Sequence, residues 1–434
     1  MRYIFSKGLF SYVHVSPIYS QIRELHSVSL KVIEEELREL EAIVEEKTIV
    51  NFPSLSSFTC CCIDGSYVID ERFGCYIAAF SAFPVIVGEG SLRRSEYVSS
   101  SPVVVPILPK TRGESRASTL CRCYEELSAL KHIEFCDYVF LDGSYISVLL
   151  SCSYARGDYR FLENIVGKMN LKTLLLSIEG DLNDFCAKTE STIMGSREKT
   201  SKLFRNLLAM AWRYARSVYE KTSSSLKREA RRLWLSYVYI TFEETLAQNI
   251  LRILLGAALD KGTFIYWISK DTESGFLVHG RRALSSFNDT SVLEYLWKDH
   301  RRAYIKLSDI GIKIPKVKED AVDHVYPKML LKAIYNYHWN SAEVAYAKLR
   351  KNGIVFQVTY PEVFSDKLEE ALGVLSSLAG TRTGYPKPLA EAHHCTVLDP
   401  SLPALIGDGL WLNLPREDFF RVVFARSGRR RVLG

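Results

Sequence analysis

The sequence predicts an α/β protein interrupted by a large, mostly helical insertion, and three observations lead there. Two apolar runs, FTCCCID and DYVFLD, each stop at Asp-Gly-Ser, with a helix-patterned segment between them. The stretch from 196 to about 259 shows neither a strand pattern nor a proline. Strand pattern then returns in GTFIYWIS, over 262–269. Strand, helix and strand in that order belong to an α/β core, and the interruption reads as an insert.

Each element has its own signal. Over 20–47, Ile22, Leu25, Leu30, Ile33, Leu37, Leu40 and Ile43 recur at helical spacing among glutamates, which predicts an amphipathic helix ended by Pro53 and a serine-rich stretch. FTCCCIDGSYVID predicts a buried strand that enters a tight turn at Asp-Gly. GCYIAAFSAFPVIVG and PVVVPIL predict further strands of the same sheet. A helix over 116–132 carries Leu120, Tyr124, Leu127 and Leu130 on one side and runs into the strand DYVFLD. The run over 171–178 fits either strand or helix, and 196–259 accommodates two or three helices. Beyond 270 the chain mixes strands (AYIKLS, GIVFQVTYP) with helices over 286–297 and 365–378. The resulting organisation is a helical segment over 1–50, the first part of the core over 51–195, a basic helical insertion over 196–260 and the rest of the core over 261–434.

Composition narrows the function. A chain of 434 residues exceeds what one simple core usually supports, so one elaborated catalytic domain or two domains are expected. A hydrophobic fraction of 47% excludes disorder. The longest apolar run, over 75–88, is broken by Ser81 and Pro84 and is too short to span a bilayer. The start, MRYIFSKGLFSYVHVS, lacks the pattern of a secretory leader, so a cytoplasmic protein with no membrane association is expected. The cysteines form CysCysCys at 60–62, Cys121 with Cys123, and singles; without CxxC spacing they read as small buried hydrophobes rather than a zinc ribbon. A net charge of +6 permits an anionic partner.

The chemistry centres on Asp64 and Asp142, each in an Asp-Gly-Ser that closes an apolar strand. Taken singly, Asp-Gly-Ser is turn chemistry. Placed on neighbouring strands, the two aspartates converge at one sheet edge, where carboxylates repel and a divalent cation keeps both ionised. Oxygen ligands suit magnesium or manganese. An aspartyl-nucleophile motif would need a further aspartate two positions earlier, where Cys62 and Phe140 stand instead. A third carboxylate is available from the preceding helix, where Glu125 and Glu126 point about 100° apart, so one of them at most faces the site.

These residues resemble the NurA nuclease family. The resemblance rests on IDGS at 63–66, the helical glutamate followed by DYVFLDGS at 137–144, YWISKDT at 266–272 and GYPKPLAEAHH at 384–394. It implies an RNase H-like mixed sheet core flanked by helices. It assigns Asp64, Glu125 and Asp142 as metal ligands, with His393 as a further ligand or proton-transfer group, Lys270 near the scissile phosphate, and Glu126 and His394 as the competing neighbours. Tyr145 departs from the family, which more often has an aliphatic residue there. The resemblance also implies a manganese- or magnesium-dependent 5′ to 3′ exonuclease with single-strand endonuclease activity. Its partners would be single-stranded DNA, double-stranded ends, a second copy of the chain and a hexameric HerA-type ATPase acting in double-strand-break end resection.

A basic arm offers a path for DNA. Arg205, Arg213, Arg216, Lys227, Arg228 and Arg231 crowd the insertion, interleaved with Trp212, Tyr214, Tyr219 and Trp234, and Arg281 with Arg282 adds a second patch. Phosphate contact with base stacking is one reading; a solvated helix face with its aromatics turned inward is the other. Arg301 with Arg302 and the tail Arg429–Arg431 extend the basic surface. The rival functions are a non-catalytic DNA-binding or scaffold subunit of a translocase, for which convergent acids have no chemical use, and an enzyme acting on RNA or hybrids.

Overall fold

β1 (Thr59–Glu71) and β2 (Tyr76–Gly88) form one long antiparallel hairpin, Thr59 opposite Gly88 and Glu71 opposite Tyr76. The computed structural model describes residues 32–53, 55, 57–88, 91–94, 102–150, 161–270, 272–314 and 341–426. The first part of the helix expected over 20–47, Asp271 and the basic tail Arg429–Arg431 lie outside these residues; the helix itself, α1, is described over 32–47.

Against the expectation of a turn at Asp64-Gly65, β1 runs straight through the motif. The reason lies across the hairpin: β2 continues to pair there, Asp64 with Phe83 and Gly65 with Ala82, so the backbone stays extended. The chain turns only after Glu71. The second motif does turn, because β5 (Tyr138–Asp142) ends at its aspartate and Gly143 adopts φ 109°, a conformation open to glycine.

The sheet is mixed, in the order β3-β2-β1-β5-β6-β9-β8-β7, with β4 (Val103–Ile107) also paired to β2. β3 is Ser91–Arg94, β6 Phe264–Ser269, β7 Ala303–Lys306, β8 Ala342–Lys348 and β9 Val355–Pro361. β1, β5 and β6 are mutually parallel and central. Parallel neighbours need crossovers, and helices supply them. α2 (Gly113–His132) precedes β5; α3 (Tyr145–Leu150), α4 (Lys168–Gly195), α5 (Thr200–Thr222) and α6 (Arg228–Lys261) lie between β5 and β6. The ambiguous run over 171–178 is therefore helical, and the helical stretch begins before 196. β8 has no counterpart in the sequence-based expectations. α7 (Asp289–Leu296) and α8 (Leu368–Leu378) fall within the helices expected over 286–297 and 365–378.

Alternation along β2 separates the two faces. Ala78, Phe80 and Ala82 pack with Leu120, Tyr124 and Leu127 of α2 and with Phe204, Leu207 and Leu208 of α5. Phe83 and Val85 face the other way, onto Ala392 of α9 (Lys387–Thr396). Asp64, directly opposite Phe83, shares the α9 side, while Gly65, opposite Ala82, looks toward α2.

α2 is held by a buried ion pair. Arg116 donates from Nε and Nη2 to the two carboxylate oxygens of Glu243 on α6, at 2.7 and 2.6 Å, and from Nη1 and Nη2 to the carbonyls of Pro109 and Leu108, at 2.6 and 2.8 Å. Trp212 donates from Nε1 to the same carboxylate. Breaking one side of such a pair leaves an uncompensated buried charge. Arg116→Met is expected to lower unfolding free energy by about 3–5 kcal/mol in urea titration, and Arg116→Met with Glu243→Leu to recover much of that loss.

Candidate active site

The parallel pairing of β1 with β5 ends at Ile63 and Leu141, and the next residue on each strand is an aspartate. Asp64 and Asp142 thus stand side by side where the two strands part. Asp64 is buried; its Oδ1 accepts from the Gly65 N–H at 2.7 Å and its Oδ2 lies 2.7 Å from Nδ1 of His393. α9 brings His393 there, and the Ser66 hydroxyl, which donates to the Thr396 carbonyl, ties the end of that helix to β1. Asp142 accepts from the Tyr385 hydroxyl at 3.3 Å and lies 3.9 Å from Lys270 Nζ, which also sits over the Tyr385 ring, 5.4 Å from its centroid. Among the described residues, one ligand atom each from Asp64, Asp142 and His393 falls within 4.8 Å of the others.

Glu125 reaches this cluster from the α2 side. A Cβ on Gly65 would stand 2.6 Å from Cγ of Glu125, closer than real Cβ contacts come, so only glycine lets the glutamate lie across the strand. Its Oε1 accepts from the Cys121 thiol at 3.5 Å, and Glu125 and Asp142 line one cleft. Glu125 adjoins the three-residue set rather than completing it. Glu126 turns away, fully buried, with Arg122 Nε 3.4 Å from its Oε1.

The electrostatics are those of crowded acids. Burial, then repulsion from Asp64, pushes Glu125 up to about 8 and Asp142 up to about 6. Burial also raises Asp64, opposed by its contact with His393. Glu126 is pushed up to about 7 by burial. A divalent cation relieves this strain, since it favours the ionised form of every acid around it. Carboxylate oxygens with an imidazole nitrogen form a donor set suited to manganese and compatible with magnesium.

The NurA domain family model matches residues 58–398, most of the chain and every element just described. The chain belongs to the NurA family. Solved structures agree in fold. The NurA nuclease from Sulfolobus solfataricus aligns with 18% identity and a TM-score of 0.52 over 93% of this chain and 99% of its own. NurA bound to dAMP and manganese aligns with 14% identity and a TM-score of 0.64 over 94% and 99%. NurA with manganese aligns with 14% identity and a TM-score of 0.55 over 91% and 99%. No curated protein matches the chain significantly.

Among the residues singled out from the sequence of this NurA protein, Asp64, Asp142, His393, Lys270 and Glu125 come together. His394 is exposed, its ring centroid 6.1 Å from that of His393, and lies outside the cluster. Arg205, Arg213, Arg216, Lys227, Arg228 and Arg231 are exposed on α5 and around the start of α6, and the cluster and its cleft draw on none of them. Arg216 pairs with Glu220, Arg231 donates to the Leu226 carbonyl, Arg281 bonds Glu39 and the Glu36 carbonyl, and Arg282 is exposed. Of the two readings of the arm, the aromatics fit the one in which they turn inward. Trp234 is buried and donates to Thr222, Trp212 donates to Glu243, the Tyr214 hydroxyl donates to Asp184, and Tyr219 packs on the core. These aromatics serve the packing of amphipathic helices. Tyr145, the departure from the family pattern, is buried against Trp267, ring centroids 4.8 Å apart. Tyr385 and Ser66 carry no separate functional signal in the sequence, although both lie inside motifs that carry the resemblance.

With Glu125 at about 8 in the fold against an ordinary 4.5, the folded chain keeps a proton that the unfolded chain has lost over that interval. The stabilising contribution is complete below pH 4.5 and disappears as pH rises through 8. In metal-free protein, Glu125→Gln is expected to raise stability by on the order of 1–3 kcal/mol at pH 8 and to change it little at pH 4.5, measured by thermal unfolding at both values.

Proposed function

We propose that this chain is a DNA nuclease that hydrolyses phosphodiester bonds with the help of manganese or magnesium. The observation that carries the reading is the convergence of Asp64, Asp142 and His393 at the point where β1 and β5 separate, with Glu125 beside them. Family membership supports it, as do two solved relatives, one bound to dAMP and manganese and one with manganese. Asp64, Asp142 and His393 would hold the cation, with Glu125 adjoining. Bound there, such an ion polarises a phosphate oxygen and makes water a better nucleophile at neutral pH.

The chain's own residues supply the rest. The ammonium of Lys270, held beside Asp142 and over the Tyr385 ring, is placed to offset charge that develops on the phosphate. Tyr385 fixes Asp142 through its hydroxyl. Ser66 and Gly65 act by position, one seating α9 and the other admitting Glu125. The fuller reading includes 5′ to 3′ exonuclease and single-strand endonuclease activity, end resection, a homodimer and a HerA-type ATPase partner. Its support is the family resemblance, and it places the protein among soluble cytoplasmic enzymes. Among the described residues, no helix is long and apolar enough to cross a membrane.

The test is cleavage of 5′-labelled and 3′-labelled single-stranded DNA with and without manganese. Asp64→Asn, Asp142→Asn and His393→Ala are expected to lose about 100-fold or more of a manganese-dependent activity, and His394→Ala to keep it. Cleavage independent of metal, or undiminished in the aspartate variants, would contradict the assignment. The position of the surviving label reports polarity.

A further inference from the structure

We propose that the cleft beside the carboxyl cluster is a subsite for a backbone phosphate of the DNA strand, and that Arg122 is the residue that contacts it. This rests on the nuclease reading above. The cleft holds about 300 Å³ and opens between α2 and the segment that leaves β5. One wall is a single stripe of α2, formed by Ser115, Ser118, Arg122 and Glu125; the facing wall carries Ser144 and Ser147. None of the four serine hydroxyls has a hydrogen-bond partner among the described residues. Arg122 is more unusual. Its side chain is only 14% exposed, and Nε and Nη2 are buried without any hydrogen bond, the ionic contact with Glu126 being made at 3.4 Å.

Nε and Nη2 lie against protein with no surface open to the cleft, whereas Nη1 is neither buried nor hydrogen-bonded among the described residues, so it is the donor that a guest in the cleft can reach. What fits is set by the lining: several hydroxyls able to donate and a forked cation match an anion rich in acceptor oxygens, as a phosphodiester is. An apolar guest would leave all these donors unmet. The carboxylates of Glu125 and Asp142 in its lining oppose an anion, so the strand enters favourably only when a cation neutralises them. That dependence ties the subsite to the reaction and places its phosphate next to the bond to be cut. On the same geometry Arg122 also faces the buried Glu126, and the variants separate that charge compensation from phosphate contact.

Steady-state cleavage of a labelled single-stranded 20-mer is measured for wild type, Arg122→Lys, Ser147→Asp and the double variant Arg122→Met with Glu126→Gln, each at several manganese concentrations. Ser147 is exposed, so its substitution spares the fold. KM at saturating manganese is expected to rise about tenfold or more in all three, with a weaker salt dependence for the Arg122 double variant. A wild-type KM in Ser147→Asp, or restoration of wild-type KM by the double variant, would overturn the subsite while leaving the nuclease reading intact. Wild-type protein without manganese-dependent cleavage would overturn the nuclease reading, and the subsite with it.

Discussion

Burial opposes the ionisation of three carboxyl groups that share one place, and the architecture around them is organised by that constraint. Asp64, Asp142 and Glu125 all have raised pKa values, with burial the first cause in each. Acids held so closely in a desolvated site destabilise the fold as they ionise. A protein keeps such an arrangement where a cation converts mutual repulsion into shared coordination, and a functional site is the ordinary place to find strain of this kind.

The surrounding elements keep the acids from drifting apart. β1 stays extended past Asp64 because β2 remains paired to it, whereas β5 stops, so two similar Asp-Gly-Ser motifs follow different backbone paths yet present their aspartates together. α2 is locked to α6 by Arg116 and Glu243, which sets where Glu125 sits. On the opposite face the Ser66 contact with Thr396 seats α9 and hence His393. The cluster therefore draws on both faces of the sheet, and Gly65 is the point where side chains from the two faces come close.

The sheet and the convergence of its acids are legible in the sequence to the extent that they follow from local pattern. Apolar runs ending in Asp-Gly-Ser mark β1 and β5, and the apolar spacing of α2 marks the helix between them. The apparent turn at Asp64-Gly65 misleads because strand pairing with a distant segment outweighs local turn preference. β8 is hidden because AEVAYAK has a weak strand signal, and its place depends on pairing with β7 and β9. Which of Glu125 and Glu126 faces the cleft follows only from how α2 sits on the sheet. Trp212 and Trp234 look like stacking platforms among the basic residues, but the helices that carry them bury them. Arg122 and the serines beside it carry no sequence signal, since a cleft between α2 and α3 exists only after both helices are placed.

The nuclease chemistry proposed for this chain depends on Asp64, Asp142 and His393 holding one cation. Crystals soaked in manganese and measured for anomalous scattering test it. A strong anomalous peak within coordination distance of all three side chains is the predicted result, weakened or lost in Asp142→Asn. Manganese bound only elsewhere, or a peak unchanged by that substitution, would contradict it.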